Sequence, residues 1–155
     1  MNDSEICNWF GGDATFHHVA VAVASIEDCG FAAIRVFEDP IQNVSVAFLE
    51  CGGCRIELVA PRSTEGPVSG ALKRRQKLLH MCFEVEDLDK SIAFATSRGF
   101  TCLADPVPAI AFGGRRIAWL YECQYGLFEL LERSPLNEAH ATLITNQRLR
   151  RRDSL

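Results

Sequence analysis

The chain has 155 residues, 48% hydrophobic and 23% charged, which fits one compact domain or two small modules sharing a core. A formal charge of −4 gives no electrostatic reason to expect nucleic-acid binding, and no apolar run approaches the ~20 residues that cross a bilayer. The acidic opening MNDSEICNWFGGDATF lacks the basic-then-apolar order of a signal peptide, so the expected address is cytoplasmic. Seven scattered cysteines, an odd number, read as reduced thiols rather than a disulfide framework. Cys51-Gly-Gly-Cys54 has CxxC spacing but no second pair to complete a structural zinc site. It lies between two strand-like runs, where Gly-Gly reads as a hairpin turn.

Residues 1–15 form an N-terminal extension. Residues 16–24 (FHHVAVAVA) read as a strand, and Ser25 then looks like a helix N-cap with Glu27 and Asp28 in the first turn. Residues 44–50 and 55–60 form a hairpin across the Gly-Gly turn. Residues 61–66 are loop, and 67–77 read as a short helix ending in basic residues. A strand follows at 79–86. Residues 87–98 read as a helix with Leu88, Ile92 and Ala95 on one face and Gly99 as its stop. Strands at 100–103, 115–121 and 126–132 close the order. Residues 104–114, with two prolines and Gly-Gly, read as a mobile loop. From Ser134 the pattern fades into a tail whose RLRRRDSL end reads as solvated and whose His140 reads as inert.

The order strand, helix, three strands thus occurs twice. His18 is followed by Val23, Ile26 and Glu27, and His80 by Val85, Leu88 and Asp89, at an offset of 80 − 18 = 62 residues. The closing strands echo as well, IELV at 56–59 and FELL at 128–131. These coincidences indicate an internal duplication, with modules at 16–61 and 79–133, a linker with a short helix at 62–78 and a tail at 134–155.

Strand parity sorts the candidate functional residues. Val19, Val21 and Val23 oppose His18, Ala20 and Ala22; Met81, Phe83 and Val85 oppose His80, Cys82 and Glu84. The bulky sets are expected to meet the helices, which leaves both histidines on the other face. By the same rule Glu57 opposes Ile56 and Leu58, and Glu129 opposes Phe128 and Leu130. A lone strand histidine is more often hydrogen-bonded core, and a lone glutamate more often an edge residue. Four of them, repeat-related and of one parity, suit a divalent ion such as Zn²⁺, Ni²⁺, Co²⁺ or Mn²⁺. His17 is expected to face the helices or the surface and not to ligate.

The strings HHVAVAV, VAFLECGGCRIELVAP, LLHMCFEVEDLDKSIAF and GGRRIAWLYECQYGLFELLE resemble the vicinal oxygen chelate superfamily, nearest its methylmalonyl-CoA epimerase and glyoxalase-like branch. The resemblance runs from about Phe16 to Glu132. It implies an α+β fold of two tandem βαβββ modules, a cupped half-barrel sheet with helices on the outer face, in a homodimer. It also implies metal ligands at His18, Glu57, His80 and Glu129. With Glu at the second position, the set is closer to glyoxalase I than to the Gln-bearing epimerases. In that family the ion acts as a Lewis acid on a small acid or thioester while a carboxylate moves the proton beside the carbonyl, a role that falls on Glu129 and Glu57.

Two departures stand out. Val46 occupies the position where the epimerases carry a second catalytic Glu, and with Val44 and Phe48 it makes that wall apolar. The stretch from His18 to Glu38, 38 − 18 = 20 positions, is roughly two turns shorter than in the relatives. Arg115 or Arg116 could meet an acid or phosphate, and Arg62, Lys73, Arg74 and Arg75 a CoA phosphate; outer-strand and helix-end placement explain them equally well. The leading expectation is a metal-dependent isomerase, epimerase or lyase. The alternative is a non-catalytic sequestering protein on the same fold, favoured by Val46 and the short first module. An iron-dependent dioxygenase ranks last, because Glu57 would crowd the open positions that O₂ needs.

Overall fold

The computed structural model describes residues 8–32 and 34–134. The solvated tail and His140 lie outside the described residues. Nine strands form one mixed, open sheet: β1 (Thr15–Ala22), β2 (Val36–Asp39), β3 (Val44–Cys51), β4 (Cys54–Pro61), β5 (Leu78–Val85), β6 (Thr101–Cys102), β7 (Val107–Pro108), β8 (Arg116–Glu122) and β9 (Gly126–Glu132). Their order is β2-β3-β4-β1-β5-β9-β8-β6, with β7 joining on β8. Strands β1 and β4 are parallel, as are β5 and β9, while β1 and β5 pair antiparallel at the centre. Each half therefore has the same connectivity, and the halves meet along the β1–β5 seam. The strand connectivity is that expected of two βαβββ units in an α+β fold, with β7 as an extra strand in the second half.

The second module has the helix that the pattern demands. In α2 (Leu88–Thr96) the Asp87 carboxylate accepts from Lys90 N at 3.0 Å, satisfying one of the free amides of the first turn. Leu88 and Ala95 bury against Val85, Leu120, Phe128 and Leu130. Phe10 fills the same cluster and is only 2% exposed, with its ring 5.3 Å from Phe100 and 5.4 Å from Phe128. Trp9 packs on Tyr125 at 4.4 Å between centroids. Two residues of the N-terminal extension thus belong to the core.

The first module differs from expectation. The helix foreseen after Ser25 is a single 3-10 turn, Glu27–Cys29. Ser25 Oγ accepts from Asp28 N at 3.3 Å and donates to Glu27 at 2.9 Å, and Gly30, at φ +76°, closes the turn. Ile26 plugs the outer face against Ala47, Leu58 and Ala60, with Val23, Cys29 and Ile34 packed around it. Among the described residues no α-helix covers this face, so Val19 and Val21 stay half-buried instead of meeting one. The other helix, α1 (Pro67–Lys73), borders the cavity described below. No helix of the described residues is long and apolar enough to cross a membrane.

Two loops are built rather than slack. Cys51 faces Cys54 across β3 and β4, and Gly52 and Gly53 (φ +58° and +81°) supply the positive angles that a two-residue hairpin turn requires. Both thiols are free. The stretch 104–114, expected to be mobile, holds β7 and a 3-10 turn, Ile110–Phe112, that reaches across to the first module. There the buried Asp39 carboxylate accepts from Ile110 N at 3.4 Å as well as from Ile41 N and Gln42 N at 3.0 Å each.

If residues 9 and 10 are core, Phe10→Ala lowers the unfolding free energy by about 3–5 kcal/mol, the usual cost of emptying a buried phenylalanine site. Urea denaturation measures this; a loss below ~1 kcal/mol would show that the segment only rests on the surface.

Candidate metal centre

The sheet register sets the geometry. Ala20 on β1 stands opposite Glu57 of β4 on one side and His80 of β5 on the other. Cys82 on β5 stands opposite His18 of β1 and Glu129 of β9. Two rows result, Glu57–Ala20–His80 and His18–Cys82–Glu129, related by the duplication that maps His18 on His80 and Glu57 on Glu129. Ala20 and Cys82 are fully buried between the larger side chains, and their small size lets the donors lean together. His18, Glu57, His80 and Glu129 each bring a donor atom to a cluster in which all lie within 4.8 Å of one another.

Separations inside the cluster are informative. His18 Nε2 lies 3.3 Å from Oε2 of both Glu57 and Glu129, and His80 Nε2 lies 3.5 Å from the same two oxygens. Yet among the described residues His18 Nε2, His80 Nε2 and Glu129 Oε2 have no hydrogen-bond partner, although all are buried. Such orphans are costly in a protein interior. Two donors each ~2.1 Å from one ion and ~105–115° apart would be ~3.3–3.5 Å from each other, which matches the spacing seen. The donor set and its orphaned atoms therefore fit a divalent cation, and its charge would balance two buried carboxylates.

The same groups perturb one another. Burial alone would push His80 down, but Glu129 and Glu57 outweigh it and raise it to about 9. His18 is raised against burial by the same two carboxylates. Burial would lift Glu129, but His18 and His80 hold it down at about 2. Burial and the nearby Glu129 push the Cys82 thiol up, so it remains a neutral spacer. Trp119 sets its ring edge-on to His80 at 4.7 Å, and Phe112 stacks on His18 at 5.8 Å. Neither aromatic was singled out from the sequence.

Glu57, His80 and Glu129 line a cavity of about 710 Å³, and Val44 and Val46 form its wall on β3. Phe48 lies beyond the donors and lines a smaller cavity of about 290 Å³ with His17, Arg55, Phe112 and Arg115. Neither expected substrate arginine lines the large cavity. Arg115 is engaged by Glu84 and by the Phe112 carbonyl at 3.3 Å. Arg116 is held by Glu132 at 2.6 and 3.0 Å and by Asp89 at 3.1 Å. Of the other cations considered, Arg62 pairs with Glu38 at 2.7 Å, and Arg74 borders the large cavity.

His17 does not follow parity. The β1–β5 register slips between Phe16 and His18, a bulge that sets two residues of β1 against one of β5. His17 consequently sits with His18, and their Nδ1 atoms are 2.8 Å apart. The His-His pair was visible in the sequence; the bulge that gives it meaning leaves no mark on an alternating pattern.

Comparison with known proteins places the fold in a family. Residues 15–119 match the model of the Glyoxalase/Bleomycin resistance protein/Dioxygenase superfamily. The mitochondrial methylmalonyl-CoA epimerase of Mus musculus is 27% identical over 126 residues, 74% of this chain and 70% of the relative. An uncharacterized protein of Bacillus subtilis, YqjC, is 30% identical over 112 residues, 66% of this chain and 79% of the relative. The crystal structure of methylmalonyl-CoA epimerase from Mycobacterium tuberculosis shares the fold, with a TM-score of 0.66 at 21% identity over 80% of this chain and 91% of its own. The chain belongs to the glyoxalase/bleomycin resistance/dioxygenase family, the vicinal oxygen chelate superfamily.

Proposed function

We propose that this chain is an epimerase-type isomerase or lyase that holds one divalent metal ion through His18, Glu57, His80 and Glu129 and moves a proton beside a carbonyl of a small acid or thioester. The observation that carries the proposal is the set of orphaned buried donor atoms on His18, His80 and Glu129, the last two lining the large cavity. When bound, the ion would act as a Lewis acid toward adjacent substrate oxygens. The chain's own part is to exclude water and place carboxylates. Trp119, Val44 and Val46 give the cavity apolar walls, which lower the local dielectric around the donors. Glu57 and Glu129 enter from opposite halves of the sheet and are the buried carboxylates lining the cavity, so one or both carry the proton. Val46, buried and opposite Val59, cannot.

The relatives with named activities in this comparison include a methylmalonyl-CoA epimerase, which supports epimerase-type chemistry. Val46 favours a second reading, a binding protein that sequesters a ligand in the same cavity without turning it over. Deuterium exchange separates the two. In D₂O the metal-loaded protein is expected to wash deuterium into the position beside the carbonyl of a 2-substituted malonyl thioester or a 2-hydroxy acid. Glu129→Gln should slow exchange by about 10²–10⁴-fold, the usual worth of a positioned acid–base group. Tight ligand binding without exchange would instead support sequestration.

Metal affinity should also depend on pH in a set direction. Without an ion His80 holds its proton up to about 9, and ligation needs that nitrogen bare. Acid therefore competes with metal. Apparent Zn²⁺ affinity is expected to rise roughly tenfold or more per pH unit between 6 and 8 and to flatten above about 9. Chelator competition across that range measures it, and a flat profile would contradict ligation by His80.

A further inference from the structure

The register that gathers the donors also sets what lies beyond them. Across β3 and β4, Phe48 faces Glu57, Val46 faces Val59 and Val44 faces Pro61. Across β8 and β9, Trp119 faces Glu129 and Tyr121 faces Leu127. Strand residues two apart share a face, so Val46 and Val59 follow Glu57, and Tyr121 and Leu127 follow Glu129. The two continuations run the same way, because β4 parallels β1, β9 parallels β5, and β1 opposes β5. Leu78 lies two residues from His80 in that same direction. Both halves of the sheet therefore become apolar toward one end, over about 13 Å from Glu57 to Pro61. Every one of these residues except Phe48 lines the large cavity of about 710 Å³.

The cavity's exposed lining is apolar as well. Nine large hydrophobic side chains are exposed among the described residues, and five of them line this cavity: Leu78, Met81, Leu103, Tyr121 and Tyr125. Exposed apolar side chains gathered at one opening mark a binding surface, whereas scattered ones do not. Apart from the donors, the charged residues that line it are Glu65 and Arg74, of opposite sign. A cavity of this size encloses a whole drug-sized molecule. A three-carbon acid held at the donors would leave most of the apolar wall facing water.

We propose that the substrate is amphipathic: a polar acid or thioester head at the donors, continued by a long apolar tail that lies along Val46 and Val59 on one half and Tyr121 and Leu127 on the other. The proposal rests on the metal-centred reading above and deepens it by naming the part of the molecule that the ion does not touch. Val46, which cannot move a proton, then serves as wall for the tail.

The test uses a series of 2-hydroxy acids of growing length. Zn²⁺ binding to the parent is measured first, and calorimetry then gives Kd of the Zn²⁺-loaded protein for 2-hydroxypropanoate, 2-hydroxyhexanoate and 2-hydroxyoctanoate. Burial of the tail predicts roughly threefold tighter binding per added methylene, on the order of 100-fold from the shortest acid to the longest. Leu103→Asp changes an exposed side chain of the cavity and is expected to reduce that ratio below about tenfold. An affinity that does not rise with length would overturn the proposal and leave the metal reading standing. A length dependence unchanged in Leu103→Asp would overturn it too, because the tail would then lie elsewhere. A flat series together with paired chains in sedimentation, separated by Leu103→Asp, would give the apolar opening to a second copy instead. Absence of Zn²⁺ binding would sink the metal reading first, and this proposal with it.

Discussion

The antiparallel seam between β1 and β5 is the constraint from which the rest of the molecule follows. Its register places Ala20 between Glu57 and His80 and Cys82 between His18 and Glu129, so two rows of donors face each other across small side chains. A shift of one residue would turn each set to the outer face, where α2 or the 3-10 turn packs. The donors' mutual attraction and their cost when unpaired both derive from burial at this seam, since charge interactions strengthen as water is excluded. The two modules therefore depend on one another: neither half holds more than one histidine and one glutamate of the set.

The cavity built on that seam is asymmetric in a way the duplication does not require. Its first-module wall is valine, and its second-module wall carries the indole of Trp119 against His80. The 3-10 turn with Phe112 stacks on His18 and lines the smaller cavity. Where the first module lacks a helix, Ile26 and a single turn shield the outer face, so the inner donors are buried by β-sheet and loop rather than by helix packing. Functional asymmetry thus sits on a nearly symmetric frame.

Much of this frame was legible in the alternating strands and in the 62-residue echo of the histidines, because parity and repetition report directly on which face a residue occupies. The convergence of His18, Glu57, His80 and Glu129 followed from the same two signals. What escaped has local causes. Trp9 and Phe10 lie in an acidic stretch with no period, so nothing marked them as core. The bulge at His17 breaks the parity rule at one residue, beside the site. Arg115 and Arg116 were free cations in the sequence, but Glu84, Glu132 and Asp89 reach them only through cross-strand and helix contacts that a linear pattern does not contain. The collapse of the first helix to one turn depends on Ser25 and Gly30 acting together within a short connection.

The most direct measurement is X-ray absorption at the metal edge of the Ni²⁺- or Co²⁺-loaded protein, compared with its His80→Ala variant. Ligation by the four residues predicts two imidazole nitrogens and carboxylate oxygens at about 2.0–2.2 Å in the parent, with one imidazole lost in the variant. A spectrum without imidazole scattering, or one unchanged by His80→Ala, would contradict it.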